Sequence, residues 1–430
     1  MLLIRILILL IFSVHSYSYT TELTLQQAIN TAKKHRPNLQ ALEYKIREEQ
    51  LKVKEAWTGY LPKIQIVSEA VAASQQGAGQ NGLSKGLNAG IQAQQLLYQF
   101  GGPQQQAKIA QAAVGIAQFD KLTQEQAIAY EVTKTFIDCW VLQQQQILIS
   151  QIDKSSRQTF KQAQQLRDVQ LLDKQDFLAS VETRTFANEQ VVNFQEDIAL
   201  AQTQLTFLLG NNQSIHLIEH QSEQELTTLT FSPCREEELS DVKQMHQTEE
   251  QYIKKALTLR PELKVLDKKI EIEQQTATQA KLSTAPSVSL LGNSMHVGAA
   301  KMGQYSGSIA FSWPIFDGTR SRYLAMEANA RATAAMLQKE QAAQQIMLEV
   351  KQACFLYGKS LNSHQAQRIA MKRADSLFNR RNQEFKLGLT TKTSLEEARV
   401  GLLQTKNRFI LAQADIAQKE ALLKYRCGDM

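Results

Sequence analysis

Two hydrophobic rhythms alternate along the chain. From about Thr24 to Trp57, Leu39, Leu42, Ile46 and Val53 recur at the spacing of one helix face. Pro62 closes that run, and the period drops to two. Ile64, Ile66, Ser68, Ala70 and Ala72 then alternate with Lys63, Gln65, Val67, Glu69 and Val71. Leu87, Ala89, Ile91 and Ala93 alternate likewise with Asn88, Gly90, Gln92 and Gln94. Such alternation puts one set on each face of a strand, so the pattern predicts strands at about 61–73 and 87–100. The Gly-, Gln-, Asn- and Ser-rich stretch from Ser74 to Gly86 reads as an exposed hairpin loop between them. From Gly102 the pattern is helical again, without proline after Pro103, to about Gln170. Roughly 70 residues of helix span on the order of 100 Å.

The same sequence of elements is then written a second time. Pro37 and Pro261 lie 224 positions apart, as do Pro62 and Pro286. Phe100-Gly101-Gly102 corresponds to Phe316-Asp317-Gly318 at an offset of 216, and Phe160/Phe378 and Gly210/Gly428 both at 218. Chain breakers in one order at near-constant offset mark an internal duplication. The second copy predicts strands at about 286–298 and 304–316, around a loop from Gly298 to Gly303. Repeat 1 thus covers 19–210, with long helices at about 102–209, and repeat 2 covers 251–430, with long helices at about 318–427. Residues 211–250 form an inter-repeat segment, expected to make a small equatorial collar with the short tail after Cys427. The helices before each strand pair and after each tip turn, laid end to end, total roughly 110 Å. Two stacked short helices can therefore flank each long one.

Composition narrows the setting. Residues 1–18 carry one early cation, an apolar run to Phe12 and small residues up to Ser18, which reads as a secretory signal peptide. That run is too short to cross a bilayer, and no later stretch is long enough for a membrane helix. An exported chain of this kind enters a membrane only as a β-barrel. Trp57, Tyr60, Tyr98, Phe100, Trp313 and Phe316 gather at the strand ends nearest the helices, where an interfacial aromatic girdle belongs. Four strands cannot close on themselves, so a barrel requires several copies. The net charge of +6 is spread along the chain without an arginine-rich arm, which argues against nucleic acid. Cys139, Cys234, Cys354 and Cys427 are too scattered for a disulfide scaffold or metal site, and Cys139 and Cys354 read as buried thiols. The histidines form no ligand or nucleophile pattern, and His216 and His220 fall in the polar inter-repeat segment. No catalytic, cofactor or metal residue is assigned, and an enzyme is not expected. The rival class is a secreted or periplasmic structural or adhesive coiled-coil protein without a pore.

Three segments carry a family resemblance: the Leu25-Gln-Gln-Ala-Ile opening that runs to Arg36-Pro37, Pro314 to Gly318, and Leu387-Gly388-Leu389. In their order, duplication and spacing they resemble the TolC-type outer-membrane efflux proteins over nearly the whole mature chain. The resemblance implies a mainly α fold with β: a homotrimeric twelve-stranded outer-membrane barrel, four strands per chain, continued by a long periplasmic α-helical barrel. It implies an exit duct for a tripartite efflux or type I secretion system. Its partners would be outer-membrane lipid, a periplasmic membrane-fusion adaptor and a proton-driven or ATP-driven inner-membrane pump.

By the same resemblance, the adaptor-docking tips are Val169-Gln170-Leu171 and Leu387-Gly388-Leu389. Gly388 suits the left-handed conformation that ends a helix. Gln170 departs from the family glycine, so the first tip either strains that residue or turns slightly later, through Leu172-Asp173. Asp176 and Glu397 correspond to carboxylates at the periplasmic entrance, with Ser394 where the family often has another acid. Phe385 and Thr390 stand where a tyrosine and an arginine tie the entrance shut in family members. A closed state held differently, or more weakly, is expected.

Overall fold

The computed structural model describes residues 24–77, 80–171, 173–210, 242–297, 302–390 and 392–430. The segment read as a signal peptide lies outside them, as do Cys234, His216 and His220 and most of the inter-repeat segment. In chain order the elements are α1 (Leu25–His35), α2 (Pro37–Trp57), a short 3-10 turn, β1 (Lys63–Gly77), β2 (Gln80–Gln99), α3 (Gly102–Asp168) and α4 (Lys174–Leu209). Then follow α5 (Val242–Leu259), α6 (Pro261–Leu282), β3 (Ser287–Val297), β4 (Met302–Ser312), α7 (Arg320–Lys386) and α8 (Lys392–Cys427). The duplication is visible in the lengths: α3 and α7 have 67 residues each, α4 and α8 have 36 each. None of these helices is long and apolar enough to cross a membrane.

Where the pattern predicts one helix from Thr24 to Trp57, the structure has two. Thr24 and Gln27 form a reciprocal capping box at the start of α1. Arg36 then turns extended, at φ −69° and ψ 119°, because the Pro37 ring excludes the helical conformation from the residue before it. Pro37 opens α2, where its missing N–H costs nothing. Arg260-Pro261 repeats the break, with ψ at 120°. The first break has a use. Arg36 Nε donates to the Leu208 carbonyl at 3.2 Å, and its guanidinium lies 5.4 Å from the Phe207 ring centroid. A cation thereby meets carbonyls that the end of α4 leaves unsatisfied.

The chain divides into two compact units, 40–123 with 260–345 and the remainder. The first holds an antiparallel sheet in the order β1-β2-β3-β4. Register separates its faces. Ile66, Ile91, Ser294 and Tyr305 pair in turn across one face, and Gln65, Gln92, Asn293 and Ser306 across the other. On the polar face Gln65 donates to Gln92 at 2.8 Å. The apolar face is bare: Ile64, Ile66, Tyr305, Ile309 and Phe311 are all exposed, Ile66 by 83%. Gly90 sits where a Cβ would come within 2.4 Å of the Ser294 carbonyl, so β2 and β3 need a glycine there. β1 and β2 pair as far as Gly77 and Gln80, through the stretch read from sequence as a loop. A ladder needs only backbone groups, and polar composition does not forbid it. The aromatics sit as expected at the strand ends, Tyr98 edge-on to Phe100 at 4.8 Å and Trp57 6.4 Å from Tyr60.

The second unit holds α4, α8 and the distal parts of α3 and α7. Here α3 pairs with α4 through an Arg184–Asp153 bridge at 2.6 Å, with Phe160 and Phe177 6.0 Å apart. α3 also runs antiparallel to α8, joined by Gln126 to the Gly428 carbonyl, Gln418 to Asp138, Gln145 to Asn407 and Ser155 to Glu396. Ile137, Trp140 and Val141 pack between these rungs against Ala414, Ala417 and Ile410. α7 in turn meets α8 through Arg426–Glu349 at 2.8 Å and His364 stacked on Phe409 at 5.1 Å. The contacts give the helix order α4-α3-α8-α7. Among the described residues no hydrogen bond, ion pair or ring contact joins the two outer members, so this layer has two open edges, as the sheet does. Cys139 is buried and Cys354 half-buried, and neither is in a disulfide. Burial pushes both thiols up to about 12, which keeps them protonated and unreactive.

Candidate functional site

Both tips reverse the chain by one device. At the first, Gln170 N–H donates to the Arg167 carbonyl at 2.9 Å and Leu171 N–H to the Leu166 carbonyl at 2.8 Å. At the second, Gly388 N–H donates to Phe385 at 3.0 Å and Leu389 N–H to Glu384 at 2.8 Å. Both are Schellman closures, which satisfy the last free carbonyls of a helix and require a left-handed residue at their centre. Gly388 supplies it at φ 72° and Gln170 at φ 58°. Of the two options left open by the sequence, the first tip takes the strained glutamine. Asp173 does not carry the turn; it caps α4 by accepting from Gln175 N–H at 3.3 Å.

The residues at the apices are bare. Leu171 is 75% and Leu389 74% exposed, and Val169 and Leu387 are exposed beside them. Behind the first apex, the Arg167 guanidinium covers the Phe177 ring at 4.3 Å and ties the end of α3 to the start of α4. Behind the second, Glu384 is bridged by Arg380 and Arg381, both at 2.9 Å. The Arg380 guanidinium, with Arg381, holds the Glu384 carboxyl below the usual range.

Asp176 is exposed in the first turn of α4, where the helix dipole favours an anion. Glu397 and Ser394 line a groove of about 1030 Å³ between α7 and α8, opposite Arg373 and Arg381. Phe385 is partly exposed at the end of α7, and Thr390 is half-buried just past the turn. Among the described residues neither Asp176 nor Glu397 forms an ion pair within the chain, and Lys386 does not reach Asp176. Within one chain Asp176 stands on α4 and Glu397 on α8, with α3 between them in the helix order above. The engaged acid is the neighbour, Glu396, which accepts from Ser155 at 2.7 Å and bridges Arg399 at 3.1 Å. Sequence reasoning missed it because Glu396 and Glu397 are adjacent, and only packing decides which one faces α3. The Asp153–Arg184–Arg157 cluster behind the first tip was missed for the same reason.

The model of a known family, described as outer membrane efflux protein, matches residues 28–211 and 252–428, one stretch in each half of the duplication. The chain belongs to that family. No curated protein matches this efflux protein by sequence. Solved structures do. CusC aligns at a TM-score of 0.74 and 13% identity, covering 96% of this chain and 93% of its own. VceC from Vibrio cholerae aligns at 0.72 and 15%, covering 94% and 96%. The open state of MtrE from Neisseria gonorrhoeae aligns at 0.70 and 14%, covering 94% and 88%. At such identities the likeness is one of fold, and it spans nearly every helix and strand of the efflux protein. Among the described residues no group of three or more His, Cys, Asp or Glu side chains is placed to hold a metal ion.

Proposed function

We propose that three copies of this efflux protein form an outer-membrane exit duct. Their sheets close a twelve-stranded barrel in lipid, and their long helices continue it as a tube through the periplasm. The observation that carries this reading is the sheet. Its outer strands, β1 and β4, have neighbours on one side only, and its apolar face is exposed. An open edge in hydrocarbon leaves backbone groups unsatisfied, so pairing β4 of one copy with β1 of the next is the economical closure. The apolar face then meets lipid, and the Gln65–Gln92–Asn293–Ser306 face lines a wet channel.

At the other end, the bare leucines of the two tips meet a membrane-fusion adaptor carried by a proton-driven or ATP-driven inner-membrane pump. Cargo then passes outward, as in efflux or type I secretion. Asp176 and Glu397, each repeated three times around the axis, form carboxylate rings at the entrance that favour cations. Phe385 and Thr390 leave this entrance without the tyrosine and arginine that the family resemblance would place there, and Ser394 leaves it without a further acid, so it is held differently or more loosely. The decisive experiment is purification from outer membranes followed by mass measurement in detergent and planar-bilayer recording. Trimers that conduct ions are expected; soluble, non-conducting material would return the chain to the structural coiled-coil class. In the conducting protein, Phe385→Tyr with Thr390→Arg lowers single-channel conductance if the gate lies at these positions. An unchanged trace removes the gate from them.

A further inference from the structure

Charge is sparse in the sheet, and its placement is ordered. The Lys, Arg, Asp and Glu residues of β1 to β4 are Lys63, Glu69 and Lys85. Lys85 lies on the part of β2 that pairs with β1 alone, past the last row that all four strands share. The other two stand within the shared rows, six residues apart on β1, so they fall on one face. It is the polar face, which also carries Gln65, Gln92, Asn293 and Ser306. Lys63 is the first residue of β1, at the strand end nearest the helices, and pairs with Gln94. Glu69 belongs to the outermost shared row, which runs through Asn88 and Val297 to Met302. Both Lys63 and Glu69 are exposed. Among the described residues neither forms an ion pair within the chain.

A charge that faces hydrocarbon is strongly disfavoured, whereas a water-filled bore accepts one. Around a threefold axis, each of these residues recurs three times at one height. Six residues of strand rise about 20 Å. With strands tilted by about 40°, that is about 15 Å along the barrel axis. In about 0.01 M salt the screening length is about 30 Å, longer than this separation, so both heights act on every ion in the bore. In about 1 M salt it falls to about 3 Å, and the fixed charges are nearly hidden.

We propose that the barrel carries two rings of opposite charge, three Lys63 near its periplasmic end and three Glu69 near its outer end, and that together they make ion flow one-sided. This rests on the trimeric barrel reading above and adds a direction to it. The Lys63 ring gathers anions and the Glu69 ring gathers cations. A voltage negative on the periplasmic side drives both gathered ions toward the middle of the barrel and raises its conductance. The opposite voltage draws both away from the middle, empties it of carriers and lowers conductance. Gln65 and Gln92, joined at 2.8 Å between the two heights, keep that middle zone polar without adding charge.

The test is single-channel recording from the full-length protein, inserted in planar bilayers with known orientation, in about 0.01 M and about 1 M KCl. At low salt the current is expected to be about twofold larger with the periplasmic side negative, and at high salt equal in both directions. Lys63→Gln with Glu69→Gln should make the low-salt trace symmetric, and Lys63→Glu with Glu69→Lys should reverse its sense. A symmetric trace in the unaltered protein, or a sense that survives the exchange, overturns the rings and leaves the duct standing. Protein that does not conduct at all overturns the duct reading and the rings with it. A second measurement needs neither current nor charge reversal. Gln92→Cys places a thiol on the polar face between the two heights, and the unaltered protein, with its own cysteines, is the blank. Cationic and anionic methanethiosulfonates of equal size are added from the outer side at low salt. The cationic reagent should react several-fold faster, and adding Glu69→Gln should bring the two rates together. Equal rates with Glu69 in place, or no reaction with either reagent, count against the proposal.

Discussion

The hairpins α3–α4 and α7–α8 have equal helix lengths and the same closing hydrogen bonds, yet they differ where function is expected. One turns on Gln170 and the other on Gly388. One presents an acidic outer edge and the other a basic one. The shared features are those that backbone geometry enforces: a helix of fixed reach and a closure that needs one left-handed residue. The features that diverged are side-chain choices the backbone tolerates at modest cost, since a non-glycine residue in that conformation costs roughly 1 kcal/mol. Duplication therefore kept the scaffold and left the outer edges free to diverge in charge.

The comparison breaks most sharply at the seam between the hairpins. Trp140, 6% exposed, fills the space between α3 and α8. Trp140→Ala should destabilise the protein by about 3–5 kcal/mol, read as a large drop in thermal midpoint. A shift under about 1 kcal/mol would mean that the hairpins are held together elsewhere. Trp140→Phe should be far milder, because among the described residues the indole N–H has no hydrogen-bond partner to lose.

The tips give a smaller, reciprocal pair of effects. Gln170→Gly should stabilise the first turn and Gly388→Gln should destabilise the second, each by about 1 kcal/mol. Among the described residues nothing lies within 4 Å of a Cβ built on Gly388, so its φ sets that cost. Hydrogen exchange at the Leu171 and Leu389 amides would slow in the first variant and quicken in the second. Equal protection at both turns in the unaltered protein would show that Gln170 carries no strain.

The smallest effect is one of pH. Asp138, half-buried beside Gln418, has its carboxyl pushed above the ordinary value of 3.8 by burial. Its folded form holds a proton more tightly than the unfolded chain, so the carboxyl lowers stability as pH rises through the interval above 3.8. Asp138→Asn should keep the bond from Gln418 and flatten the decline of thermal midpoint with pH. Glu420, also raised by burial, keeps its own share of the slope. An unchanged pH profile would place Asp138 in contact with solvent.

Much of this was legible in the residues themselves. The switch between periods, the breakers at fixed offsets and the glycine of the second tip are local, and each names its element without reference to anything distant. The misses were also physical. The helix break at Arg36 follows from Pro37, whose effect on the preceding residue a hydrophobic pattern does not register. The strand pairing beyond Ala73 rests on backbone bonds that composition does not reveal. Which of Glu396 and Glu397 meets α3 turns on a rotation of about 100° around the helix axis.

By itself, then, the sequence determined the duplicated order of elements, the reach of the long helices and the reversal at Gly388, while leaving the first reversal open, because backbone hydrogen bonding and side-chain period are local. The neighbours of each helix were decided only by the tertiary structure. These Ala- and Gln-rich helices show several weak apolar stripes, any of which could bury against another. Packing selects α3 against α8, and that choice leaves the edges of α4 and α7 uncovered and opposite in charge.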